Sequence, residues 1–116
     1  MKIQTKRIYK KAANRDGHRV LVDRIWPRGV SKKDARLDDW NKDIAPSTEL
    51  RKWFDHKEDR FPEFKKKYKK ELSKQTEPLK EIASIAKEKQ VTLLFGAKDE
   101  NHNQAVVLKE YLENNF

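Results

Sequence analysis

Two short apolar runs constrain this chain more than anything else in it: Val20-Leu21-Val22, continued at Ile25, and Val91-Thr92-Leu93-Leu94-Phe95. Neither alternates apolar with polar residues, so neither suits a sheet with one wet face. Each reads as a strand covered on both sides. The first run stops at Pro27, which cannot donate to a ladder, and Gly29, which permits a turn. The second is bounded by Gly96. A further strand is predicted over Ile3 to Tyr9, with Ile3, Thr5 and Arg7 on one face and Gln4, Lys6 and Ile8 on the other. Its polar content suits a sheet edge. Lys10 to Gly17, with Asn14, Asp16 and Gly17, reads as a turn.

Helical signals fill most of the rest. Ser31 is the N-cap of a short helix predicted over Lys32 to Leu37. Ser47 caps another, with Glu49 in its first turn and Leu50, Trp53 and Phe54 as its apolar stripe. Asp38 to Pro46 reads as a loop that Trp40 and Ile44 anchor over the strand ends. Pro62 opens a helix whose Phe61, Phe64, Tyr68 and Leu72 share one side. Another helix is predicted from about Glu77 to Lys89, and a last one from about His102 to Asn114. Residues 105–108 of that last helix are all apolar, so its start is expected to be buried. The order strand, strand, helices, strand, helix predicts an α/β fold. The expected form is a small three-layer domain with a mainly parallel central sheet flanked by helices and right-handed crossovers.

A chain of 116 residues supports one core, so residues 1–116 are expected to form a single α/β domain. Its 28 Lys and Arg against 19 Asp and Glu give +9, which favours anionic partners, although such a charge also serves solubility. Cysteine is absent, which excludes disulfides, thiolate nucleophiles and cysteine-ligated metal centres. His18 and His56 are too scattered for a metal-ligand spacing on one element, so no metal is expected, and no cofactor. No stretch approaches a membrane span and the N-terminal residues hold no apolar leader, which makes the cytoplasm the expected location.

In open α/β sheets ligands bind outside the carboxyl ends of the strands. Two such ends are identifiable, Asp23 to Gly29 and Gly96 to Asn103, and parallel pairing would open both on one edge. Arg24, Arg28 and Lys98 are the candidate anion contacts, with Asn101 beside them. Trp26 and Trp40 either wall that pocket or fill core. Asp23, Asp99 and His102 are placed to orient a ligand or move protons, while His102 fits equally as a capping or surface residue. An Asp–Arg pair that merely pins the loop is the plainer alternative. The run Lys65 to Lys70 has the charge to track a nucleic-acid backbone, but it also forms the solvated sides of an amphipathic helix. No helix-turn-helix, ribonucleoprotein or zinc-finger pattern accompanies it. The expected partner is therefore a small anionic ligand, phosphorylated or nucleotide-like. A nucleic-acid module or an inactive interaction domain is the alternative. The residues leave open whether the chain is an enzyme, and its oligomeric state.

The segments Gly17–Gly29, Trp40–Ser47, Glu49–His56 and Val91–Asp99 together resemble the YeaO-like branch of DUF488, a bacterial family of domains of unknown function. That resemblance implies a compact three-layer α/β fold and no established reaction. It further implies a distant similarity to rhodanese- and phosphatase-like domains. Other members carry an Asp-x-Arg-x-x-Pro stretch after the second strand, to which Asp23-Arg24-Ile25-Trp26-Pro27 is similar. They also carry a cysteine-rich segment where this chain has Phe95-Gly96-Ala97-Lys98 and His102-Asn103-Gln104. Thiol-based sulfur or phosphoryl transfer is therefore ruled out here.

Overall fold

A computed structural model describes residues 1–116. Its sheet has four strands, β1 (Ile3–Arg7), β2 (His18–Leu21), β3 (Asp39–Trp40) and β4 (Val91–Phe95), in the order β1-β4-β2-β3, and every pairing is parallel. β4 lies between β1 and β2, with Val91 opposite both Ile3 and His18. That central place explains its unbroken apolar sequence, for all five residues are buried.

Five helices surround the sheet: α1 (Lys32–Ala35), α2 (Thr48–Phe54), α3 (Phe61–Leu72), α4 (Thr76–Glu88) and α5 (Gln104–Asn115). On one face Val20, Val22, Leu93 and Phe95 meet the apolar stripes of α2 through α5 in one continuous core. Tyr68, fully buried in that core, donates its hydroxyl to the Ile44 carbonyl. On the other face Ile8, Leu21 and Leu94 are covered only by Ala35 and by Trp26, Val30, Leu37 and Trp40. The two indoles stand edge to face, 5.2 Å apart, and supply the cover that helices supply opposite. None of the helices is long and apolar enough to cross a membrane.

The rest of that second face is polar and tightly bonded. Asp16, 1% exposed, accepts from Lys6 Nζ at 3.0 Å, from the Ala13 N–H at 2.9 Å and from Arg19 Nη1 at 2.5 Å. Burial works against its charge, but the Ala13 N–H and the two cations hold its carboxyl below the ordinary value. Arg19, 4% exposed, turns its remaining donors onto the Ala35 carbonyl. Arg19 is a charged residue inside β2 and yet a core residue, because Asp16 lies across the turn to neutralise it.

Several boundaries differ from expectation for local reasons. The first apolar run predicts Ile25 inside the sheet, but β2 ends at Leu21, the chain leaves the ladder by Asp23, and Ile25 is 60% exposed. Asp38 to Pro46 contains β3, held by Asp38 N–H to the Arg19 carbonyl and Asn41 N–H to the Leu21 carbonyl. Two residues are too few to show a period. The last helix starts at Gln104, not His102, because the Asn103 side chain caps it through the Val106 N–H at 3.1 Å. α1 ends at Ala35, where Arg36 turns left-handed at φ 46°.

β2 begins beside a backbone crossing that only glycine permits. Gly17 has φ 65°, and a Cβ there would stand 2.2 Å from the Gln90 carbonyl oxygen, the same oxygen that accepts from His18 N–H. Gly17→Ala is therefore expected to lower the unfolding free energy by about 2 kcal/mol or more. Urea denaturation measures this, and an unchanged midpoint would contradict the close approach of β2 to the turn before β4.

Candidate functional site

The carboxyl ends of β2 and β4 open into one cleft of about 750 Å³. Its centre is Asp23. Oδ2 accepts from the Gly96 N–H at 2.9 Å, and Oδ1 accepts from the Gln104 side-chain amide. The approach is close: a Cβ on residue 96, which follows β4, would lie 2.9 Å from Oδ2. Burial pushes the Asp23 carboxyl up to about 6, against the opposing pull of the Gly96 N–H, the Arg51 charge and Gln104. Behind it, Trp40 donates its indole N–H to the Asp23 carbonyl at 2.7 Å.

Arg24 lines the cleft, but its Nε and Nη2 donate to the carbonyls of Pro46 and Ala45 at 3.0 and 3.2 Å. Those bonds fix the approach to α2. Ser47 then caps α2 through the Leu50 N–H, while Glu71 of α3 accepts from both the Ser47 N–H and its hydroxyl. The first turns of α2 thereby carry Arg51 and Lys52 to the wall of the cleft. Asp55 and His56, both left-handed at φ 49° and 53°, close that wall.

The opposite wall follows β4. Lys98 and Asp99 line it after Gly96 and Ala97, and the Ala97 carbonyl accepts from Arg7 Nε at 2.9 Å. Asp99 Oδ1 accepts from the N–H groups of Asn101 and His102, and Oδ2 lies 2.9 Å from His102 Nδ1. The Asn101 N–H and then His102 hold the Asp99 carboxyl below the ordinary range. The other His102 nitrogen stands 3.6 Å from Glu58, and its ring edge meets Phe61 at 5.1 Å. Glu58, Asp99 and His102 bring ligand atoms within 4.8 Å of one another, and both carboxylates are exposed.

Of the residues singled out from the sequence, Asp23, Arg24, Lys98, Asp99 and His102 come together on the cleft. Trp26, Arg28, Trp40 and Asn101 are not in its lining. Both indoles are committed to the far face of the sheet, where Trp26 donates to the Val30 carbonyl and Lys42 lies 4.0 Å over Trp40. Arg28 is exposed beyond the turn and meets the site only through its carbonyl, which accepts from the Tyr9 hydroxyl at 2.7 Å. Asn101 is an exposed turn residue. Tyr9, Arg51, Lys52 and Gln104 also line the cleft and are not among the residues singled out from the sequence. The Ser47 cap was the available signal for the α2 pair, because it fixes where the next turn of helix points.

Arg51, Lys52 and Lys98 take part in no ion pair, whereas on α3 Lys65 and Lys69 share Glu110 and Lys67 covers Trp53. The cleft thus joins three uncommitted cations to a carboxyl whose proton is retained well above the ordinary 3.8. Between about pH 4 and 6 the folded chain keeps that proton while the unfolded chain has lost it. The contribution of Asp23 to stability therefore falls as pH rises through that window and is unfavourable above it. Asp23→Asn cannot ionise and is expected to gain about 2 kcal/mol on the wild type between pH 4 and pH 7.5. Denaturant titrations at the two pH values measure the difference, and a constant offset would contradict a carboxyl strained by burial.

Comparison with known proteins places the chain in a family. The chain is 46% identical over 112 residues to the uncharacterised protein YeaO of Escherichia coli, covering 97% of each chain. It is 39% identical over 111 residues to the uncharacterised protein Rv3073c of Mycobacterium tuberculosis, covering 96% of this chain and 93% of that one. No solved structure matches it. The family model that matches is described as the inactive DUF488-N3 subclade and spans residues 2–116, so the chain belongs to this subclade of the DUF488 family.

Proposed function

We propose that the chain is a binding domain for a small anionic ligand, held in the cleft at the ends of β2 and β4. One observation carries this reading: Arg51, Lys52 and Lys98 all line the cleft and none is engaged in a salt bridge, although Asp23, Asp55 and Asp99 share that lining. Arg supplies a planar fork for an oxyanion and the lysines supply point charges. The position agrees with the rule that α/β sheets bind ligands beyond their strand carboxyl ends, and the volume falls within the usual range for small-molecule sites. Arg24 serves as a clamp on residues 45–46, so the anion contacts pass from Arg24 and Arg28 to Arg51 and Lys52, with Lys98 kept. Asp23 and Gln104 form the polar floor against which the ligand is oriented.

Binding without turnover is the form of this reading that the subclade's description as inactive supports, carried over to this chain. The lack of cysteine supports it too. On α3, Lys65 and Lys69 are held by Glu110 and Lys67 lies over Trp53, which leaves Lys66 and Lys70 as the free cations of that helix.

Thermal-shift and calorimetric titration with pyrophosphate tests the proposal, since a ligand bound only to the folded state raises the melting temperature. Arg51→Ala and Lys98→Ala are each expected to weaken binding about tenfold, and Lys66→Ala on α3 to leave it unchanged. Equal affinity in all three variants, or loss only in Lys66→Ala, would contradict it.

A further inference from the structure

Four large hydrophobic side chains are exposed: Met1, Phe116, Tyr9 and Ile25. Met1 and Phe116 are the first and last residues, and the remaining two both line the cleft. Tyr9 and Ile25 thus share a cleft lining with Arg51, Lys52 and Lys98, and a simple inorganic anion has no use for their apolar surface.

Tyr9 is also held rigidly for a residue that is 44% exposed. Its hydroxyl donates to the Arg28 carbonyl at 2.7 Å, which fixes the far end of the ring. The Arg7 guanidinium lies 4.5 Å over the ring, and is itself anchored by Nε to the Ala97 carbonyl. A cation over one face of the ring draws density from it, which favours stacking of an electron-rich ring on the other face. Ile25 and the buried Pro27 complete an apolar surface on the lining that also holds Asp23. The cleft therefore offers an apolar platform together with Arg51, Lys52 and Lys98, all joined by the Asp23 floor.

We propose that the ligand is a ring-bearing phosphate of the nucleoside monophosphate class, with its base against Tyr9 and Ile25 and its phosphate toward Arg51 and Lys98. This rests on the anion-binding reading above and narrows its ligand. Stacking on a single aromatic side chain tolerates different bases, so the platform selects for a ring and not for one base.

Isothermal titration of the full chain with AMP, ribose 5-phosphate and hexyl phosphate separates the two claims. AMP is expected to bind about tenfold more tightly than either of the others. Tyr9→Leu should bring the ratio of AMP to ribose 5-phosphate affinity close to one, and Tyr9→Phe, which keeps the ring, should retain most of it. Equal affinities for AMP and ribose 5-phosphate, or hexyl phosphate matching AMP, would overturn the ring site while leaving the anion site standing. Failure of all three together with pyrophosphate would overturn both.

Discussion

The carboxyl of Asp23 is where the molecule is tied together. Its two oxygens take the N–H that ends β4 and the side chain that begins α5, while its carbonyl takes the Trp40 indole from the far face of the sheet. Four elements therefore converge on one residue. A carboxylate so enclosed is costly to ionise, and the protein tolerates this because the same enclosure fixes the spacing of the two loops that bound the cleft. Remove that clasp and the strand ends lose their common reference.

The two faces of the sheet solve the same burial problem by different means. Four helices cover one face with an ordinary apolar core. The other has a single turn-and-a-bit of helix, two indoles and the buried Asp16–Arg19–Lys6 cluster. Because the indoles are needed there, they are unavailable to a ligand, and the cleft is left to short polar loops and the start of α2. Its lining accordingly combines cations, Arg51 and Lys52 from α2 and Lys98 after β4, with the apolar side chains of Tyr9 and Ile25.

Much of the fold was legible in the chain because burial on both faces leaves a run such as Val91 to Phe95 without alternation, and Ser47, Pro62 and Gly96 punctuate the elements plainly. That a cleft would open at the strand ends was legible for the same reason, since strand ends are readable and parallel pairing brings both to one edge. The identity of its side chains was less so. Trp26, Arg28 and Trp40 lie next to Asp23 in sequence or in expectation, yet neighbours along an irregular segment can point to opposite faces of a sheet. Arg51 and Gln104 reach the site from helices distant in sequence, and no local pattern announces such a meeting. Ile25 completed an apolar run on paper and proved to be exposed, since nothing in a four-residue strand fixes where pairing stops.

The proposed function requires an anion to enter the cleft, and amide NMR of the full chain titrated with pyrophosphate observes that directly. Binding there is expected to shift the N–H signals of residues 51–56 and 96–104, from the two walls that meet at Asp23, with α3 left unmoved. Shifts confined to the exposed lysines of α3, or none at millimolar pyrophosphate, would contradict it.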